Sequence, residues 1–217
     1  MRESWLKQWE GKVASEDDCV RFVDDVGFCT IDRAESSPDF PSQADAMGVE
    51  TALGRTWFWK DDLHIQKRLY YTRLFFNKPG YISIEFLPAF IATNGQVADE
   101  LMIMGRMPLA QQTIYEFIDA EGPISTRDLK RKLTEDVKRQ SAFALIALER
   151  LFIATKVDIT GRTMQTYSYV WDLAEKWVPW AFEEADKLGR ARAKAKILDK
   201  LDSNGIPAGV AAKAFGW

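Results

Sequence analysis

The sequence is poor in the side chains that most often build metal and acid–base sites. It contains one histidine, His64, and two cysteines, Cys19 and Cys29, which stand ten residues apart. A zinc site needs a cluster of cysteine and histidine ligands, and a disulfide framework needs several cysteine pairs. We therefore expect no metal, no cofactor and no disulfide, as in proteins of the reducing cytoplasm.

Long apolar runs and phosphate-binding loops are also missing. No run of about 18 apolar residues occurs, and residues 1–10 lack the apolar core of a signal peptide. No glycine-rich loop leads into a Lys-Ser or Lys-Thr pair. A Ser-His-Asp triad would have to use His64, which lies in an amphipathic segment typical of a structural histidine. We expect a soluble, cytoplasmic protein without a membrane partner.

Charge is distributed unevenly along the chain. Residues 1–62 carry 7 Lys and Arg against 14 Asp and Glu, a net charge of −7. Residues 125–163 carry 9 against 5, a net charge of +4, while the whole chain has −3. This pattern argues against a uniformly basic nucleic-acid-binding protein, but it leaves one central segment that can face phosphates.

The first third of the chain combines helical patterns with many aromatic residues. Apolar spacing predicts a helix over residues 16–26, and proline and serine content predicts a loop over residues 34–48. A second helix is predicted over residues 61–76. Residues 81–86 have the composition of a strand, although residues 87–90 equally suit a helix start. The aromatic stripe between them is typical of a core.

The clearest pattern runs from residue 108 to residue 171. A helix on the face of Ala110 and Ile118 is predicted to end at Gly122, and Ser125 with Asp128 forms a capping box that starts a second helix, ending at Leu133. A third helix is predicted over residues 137–152. An alternating strand over 153–159, a turn over 160–163 and a strand over 164–170 follow. Three helices followed by a hairpin predict a winged helix.

The remaining sequence is again helical. A mixed-charge helix over residues 183–200 is interrupted at residues 205–207, and residues 207–215 predict one more short helix. The fold class is therefore mainly α with small β-hairpins (α+β), with tandem winged-helix units of which the last is truncated. The predicted domains are residues 1–104, helical, aromatic-rich and interpreted as a degenerate winged helix; residues 105–172, a winged helix; and residues 173–217, a partial winged helix.

Several stretches have a familiar order and spacing. The chain resembles the AlkZ-related branch of the YcaQ-like winged-helix DNA glycosylase superfamily. The stretches that carry this resemblance are Val26-Gly27-Phe28-Cys29 with Thr56-Trp57-Phe58-Trp59-Lys60, Gly105-Arg106-Met107-Pro108-Leu109-Ala110 with Gly122-Pro123-Ile124-Ser125-Thr126-Arg127-Asp128-Leu129, and Tyr167-Ser168-Tyr169-Val170 with Phe215-Gly216-Trp217.

The resemblance implies winged-helix units that hold DNA and, in catalytic relatives, excise a damaged base with a Gln-aliphatic-Gln or Gln-aliphatic-Asp motif. The matching positions here are Thr30-Ile31-Asp32, so Asp32 is the one candidate catalytic residue and Thr30 replaces the glutamine. The relatives also continue into a further β domain. Both differences predict a non-catalytic protein, in which Asp32 caps or ends a turn.

Three functions are compatible with these observations. The first is a DNA-binding winged helix, related to repair enzymes, that contacts phosphates of duplex DNA. The second is a glycosylase for alkylated bases with an altered motif. The third is an interaction module whose apolar third helix pairs with a partner or a second copy of the chain. The candidate DNA contacts are Lys130, Arg131, Lys132, Lys138, Arg139, Gln140 and Arg162, of which several can instead pair with Asp128, Glu135 and Asp136.

Overall fold

A computed structural model describes residues 5–217. The helices are α1 (Trp5–Trp9), α2 (Glu16–Val26), α3 (Gln43–Ala46), α4 (Trp59–Ile65), α5 (Leu87–Asn94), α6 (Ala98–Ile103), α7 (Leu109–Glu121), α8 (Thr126–Lys132), α9 (Glu135–Arg150), α10 (Ala174–Trp177), α11 (Pro179–Leu188), α12 (Arg190–Ser203) and α13 (Val210–Phe215). The strands are β1 (Phe28–Thr30), β2 (Leu69–Thr72), β3 (Gly80–Ser83), β4 (Ile124–Ser125), β5 (Ala154–Ile159) and β6 (Tyr169–Leu173). The chain is thus mostly helical, with small antiparallel sheets.

The chain divides into two units. Unit 1 combines the residues up to Thr93 with Ala185–Trp217, and unit 2 is Asn94–Glu184. Within the described residues, no helix is long and apolar enough to cross a membrane. The same residues hold no group of three or more His, Cys, Asp or Glu side chains that could bind a metal ion.

Unit 1 contains a three-stranded antiparallel sheet in the order β1-β3-β2. Tyr81 of the central strand pairs with Cys29 on one side and with Tyr71 on the other. A side chain at Gly80 would meet the Cys29 carbonyl oxygen at 2.4 Å and the Phe75 ring at 2.7 Å, so only glycine lets the strands approach this closely. All residues of the three strands are buried, and the sheet forms part of the core of unit 1.

Two predictions for this region are wrong. The helix predicted over residues 61–76 is α4 followed by strand β2, because Lys67 has a left-handed backbone (φ 56°) that ends the helix and Tyr70 and Tyr71 pair with β3. The loop predicted over residues 34–48 contains α3, which Ser42 caps by accepting the Asp45 backbone N–H at 3.1 Å.

Other predictions for unit 1 are confirmed. Helix α2 has the predicted bounds and begins with a capping box between Ser15 and Asp18. His64 is a buried structural residue, since its Nδ1 accepts the Tyr71 backbone N–H at 3.0 Å. The strand predicted over residues 81–86 is the shorter β3, and the alternative helix start is realised as α5.

An aromatic cluster joins the two ends of unit 1. The Phe28 ring lies 5.1 Å from Phe90, 5.6 Å from Phe215 and 5.8 Å from Phe75, measured between ring centroids. Phe215 belongs to α13, and only 1% of it is exposed. Asn204 adds a polar contact, because its Nδ2 donates to the Val26 carbonyl at 2.9 Å. The C-terminal helices therefore complete the core of unit 1.

Unit 2 contains the order α7, β4, α8, α9, β5, β6, with a three-stranded sheet in the order β4-β6-β5. The three predicted helices and the strand predicted over residues 153–159 are found as α7, α8, α9 and β5. Ser125 caps α8 by accepting the Asp128 N–H at 3.0 Å and donates its hydroxyl to the Asp128 carboxylate at 2.7 Å. This hydroxyl lowers the pKa of Asp128.

The strand predicted over residues 164–170 begins later than expected, at Tyr169. Residues 160–168 form a loop instead, which we call the wing loop. Three threonine hydroxyls bond within it: Thr163 and Thr166 lie 2.8 Å apart between their Oγ1 atoms, and the Thr160 hydroxyl donates to the Thr166 carbonyl. These local bonds compete with strand pairing, so the predicted four-residue turn opens into a longer loop.

We expect Phe215→Ala to destabilise unit 1 strongly. It empties a fully buried site between several rings, which costs about 3–5 kcal/mol of unfolding free energy. For a chain of this size the midpoint of thermal unfolding should fall by at least about 6 °C. Lys213→Ala, an exposed position of the same helix, is the control. Equal melting temperatures for the two variants would contradict the role assigned to Phe215.

Candidate nucleic-acid interface

The basic residues of unit 2 lie on helix α8, on the first turns of α9 and on the wing loop. Arg131 and Lys132 are exposed on α8, and Lys138, Arg139 and Gln140 are exposed on α9. Arg162 is exposed on the wing loop. Helix α9 begins at Glu135 after Thr134. The fold thus gathers all the predicted DNA-contact residues within a single unit.

Most of these cations have a carboxylate partner. Lys138 pairs with Glu135 at 3.1 Å and Arg139 with Asp136, in each case one helical turn apart. The same holds on α8, where Arg131 pairs with Asp128 at 2.8 Å, while Lys132 pairs with Glu121 of α7 at 2.7 Å. Both partners of each pair are well exposed, and such pairs contribute only about 0–1 kcal/mol. Phosphate oxygens can therefore replace these carboxylates at little cost.

Two basic residues differ from the others. Arg127 and Lys130 of α8 form no ion pair with any carboxylate in the part of the chain that the structure describes. They border a cleft together with residues that precede and begin β6. Lys130 was predicted as a contact, but Arg127, Tyr167 and Ser168 were not, because nothing in the sequence brings these positions together.

Helix α9 has one buried and one exposed apolar side. Val137, Ala144 and Leu148 are buried in unit 2, whereas Phe143 is 81% exposed. The outer face around Phe143 offers few hydrogen-bonding groups, as the sequence predicted. Such a face cannot form the bidentate hydrogen bonds with which side chains distinguish base pairs.

Asp32 lies in unit 1, directly after strand β1. Its Oδ1 accepts two backbone N–H groups, from Ala52 at 2.7 Å and from Leu53 at 3.2 Å. Thr30, at the position of the family's glutamine, is fully buried, and its hydroxyl donates to the Pro41 carbonyl at 3.3 Å. These contacts give both residues a structural task, which is to hold the loop that follows α3.

A glutamine that the sequence interpretation missed lies close to this loop. Gln43 is fully buried, and its Nε2 donates to the Thr56 hydroxyl at 3.2 Å. That hydroxyl donates in turn to the Ala52 carbonyl at 2.9 Å, and the N–H of Ala52 bonds to Asp32. Gln43, Thr56, Ala52 and Asp32 thus form one connected network.

Comparison with known proteins gives one match. A family model described as "AlkZ related" matches residues 13–213, which is nearly the whole chain. The curated proteins and the solved structures give no match.

We expect Asp32→Ala to lower the free energy of unfolding by about 1–3 kcal/mol, because it leaves two backbone N–H groups without an acceptor. Asp32→Asn should cost less, since an amide oxygen can still accept both. Urea unfolding measures the difference. The matched control is Asp39→Ala, an exposed carboxylate of the same segment, with an effect within about 0.5 kcal/mol. If the control costs as much as Asp32→Ala, the loop-holding role is wrong.

Proposed function

The chain belongs to the AlkZ-related family, a group related to DNA glycosylases, and from that premise we propose that it is a non-catalytic winged-helix protein that binds duplex DNA. Binding rests mainly on phosphate contacts from unit 2. The observation that carries this proposal is the gathering of exposed cations on α8, α9 and the wing loop. A net charge of +4 over residues 125–163 of an otherwise acidic chain supports it.

The order of elements in unit 2 supports a winged helix. Three helices and a sheet of one short and two longer strands occur in the sequence expected for that motif. In such a motif the recognition helix, here α9, enters the major groove. The wing loop then lies against the phosphate backbone. In the proposed complex Lys138 and Arg139 face phosphates at the groove edge, and Arg162 contacts the backbone from the wing.

The composition of α9 favours contacts with little sequence preference. Side chains such as Arg, Asn and Gln read base edges, and the central turns of α9 carry Ala142, Phe143 and Ile146 instead. Phosphate contacts position a protein on DNA without reading sequence. We therefore infer that the protein selects DNA by charge and shape.

The absence of catalysis is inferred from Asp32 and Thr30. A glycosylase must stabilise an oxocarbenium-like sugar or orient a water molecule with free polar groups. One oxygen of Asp32 already accepts two backbone N–H groups, and Thr30 is buried. Both observations favour a structural role at the positions of the catalytic motif.

We expect the wild-type chain to bind duplex DNA with a strong dependence on salt. Each lost phosphate contact should reduce the slope of log K against log salt by roughly 0.9, so Arg139→Ala with Arg162→Ala should flatten it by nearly two. Fluorescence anisotropy at several salt concentrations measures this slope. The change in affinity should be similar for DNA of different sequence.

A matched control removes two charges from unit 1. Arg21 pairs with Asp18 one helical turn away, as Arg139 pairs with Asp136, and Arg33 pairs with Asp45. Arg21→Ala with Arg33→Ala should leave the slope unchanged. An equal effect of both double variants would mean that only total charge matters and that unit 2 is not the interface.

A second function is favoured by Phe143. An exposed aromatic side chain on an otherwise well-packed helix is typical of a protein interface. If the wild-type chain shows no salt-dependent DNA binding, this interaction module replaces the DNA-binding proposal. Light scattering of the wild type and of Phe143→Ser then shows whether the partner is a second copy of the chain.

We expect no release of free bases when the chain is incubated with alkylated duplex DNA. Chromatography of the released bases is the measurement, with DNA alone as the background. Base release that is lost in Asp32→Asn would establish the alternative, a glycosylase in which one carboxylate suffices. Release that survives in Asp32→Asn would point to a contaminating enzyme.

A further inference from the structure

A cleft of about 370 Å³ lies within unit 2, between helix α8 and the end of the wing loop. Its size is that of a site for a single small ligand. None of the contacts assigned so far uses it, apart from Lys130. The residues that line it are Thr126, Arg127, Lys130, Tyr167, Ser168 and Tyr169.

The walls of the cleft are joined by specific hydrogen bonds. The Thr126 hydroxyl donates to the Tyr169 carbonyl at 3.1 Å and accepts the Trp171 indole N–H at 2.8 Å. The Arg127 guanidinium donates through Nη2 to the Gln165 carbonyl at 2.6 Å. These bonds tie α8 to β6 and to the wing loop, so the cleft is present before any ligand binds.

The cleft concentrates positive charge that no described carboxylate neutralises by an ion pair. Arg127 and Lys130 project from the same helix, one turn apart, while their neighbours Arg131 and Lys132 are paired with Asp128 and Glu121. The Ser168 Oγ accepts the Arg127 backbone N–H at 3.3 Å, which leaves its own proton for an anionic oxygen. Two cations and a hydroxyl donor are a suitable set for one phosphate group.

Aromatic rings complete the cleft. The rings of Tyr167 and Tyr169 meet edge to face with their centroids 5.3 Å apart, and both residues are half-buried. Lys156 lies over the Tyr169 ring at 4.6 Å and fixes that ring from within the unit. Tyr167 is the outer ring of the pair in sequence, next to the wing loop. Stacking on aromatic rings next to a basic groove is how proteins hold unpaired bases.

We propose that this cleft binds one nucleotide of an unpaired DNA strand, with the phosphate on Arg127, Lys130 and Ser168 and the base against Tyr167. In a duplex the faces of the bases are stacked on each other, so only an unpaired base can use the ring. The inference deepens the proposed function, on which it rests for the choice of nucleic acid. It adds that gapped, frayed or single-stranded DNA is a better partner than intact duplex.

The test compares a short labelled oligothymidine strand with a duplex of the same length, using the full chain and fluorescence anisotropy. Arg127→Ala and Tyr167→Ala should each weaken binding of the single strand by roughly tenfold, the effect typical of losing one stacked base or a charged phosphate contact. Binding of the duplex should change by less than about twofold. Tyr167→Phe keeps the ring and should bind the strand like the wild type.

Arg106→Ala is the matched control, because Arg106 is an exposed arginine of unit 2 outside the cleft. Single-strand binding that is absent, or equal in all variants, overturns the inference even when duplex binding persists. Cleft-dependent binding of the single strand without any duplex binding would instead overturn the proposed duplex function and leave the cleft intact. Arg127→Ala alters only an exposed side chain, so its result stands even where Tyr167→Ala unfolds.

Discussion

The burial of Phe28 is the constraint on which unit 1 depends. Its ring needs partners from β1's own surroundings, from α5 and from α13, and the last of these comes from the far end of the chain. Residues up to Thr93 therefore cannot complete their core without Ala185–Trp217. Unit 2 is in this sense an insertion, since the segments before and after it belong to one core. The edge-to-face ring contacts add about 0.5–1.5 kcal/mol each to the area they bury.

Unit 2 depends on a different interaction, a buried ion pair. Lys156 of β5 donates to both carboxylate oxygens of Glu149 in α9, each at 3.0 Å, and both side chains are buried. A buried charge without its partner costs several kcal/mol, so helix and strand are held in one arrangement. Lys156 also lies over the rings of Tyr169 and Trp171. The pair that fixes the core of the unit thereby also orients the aromatic side of the cleft.

Local sequence signals predicted the parts of the fold that local interactions determine. Helix α2 and helix α8 have serine caps, and the apolar spacing of α7 is regular, so these helices were predictable. Strand β2 was not, because Tyr70 and Tyr71 become strand residues only through pairing with β3, which the helical spacing conceals. The wing loop was missed for a similar reason: its three threonines suit a strand until their hydroxyls bond to each other.

The candidate site shows the same division. Composition alone identified the basic residues of α8, α9 and the wing loop, but it could not tell paired cations from unpaired ones. Arg131 and Lys130 are neighbours in sequence, and only the fold places a carboxylate beside the first and a cleft beside the second. In the proposed complex the two kinds act differently. Paired, exposed cations exchange carboxylates for phosphates with little net gain, whereas the unpaired cations of the cleft gain a partner. The cleft, with its smaller number of cations, is for that reason the place where the protein should discriminate most between forms of DNA.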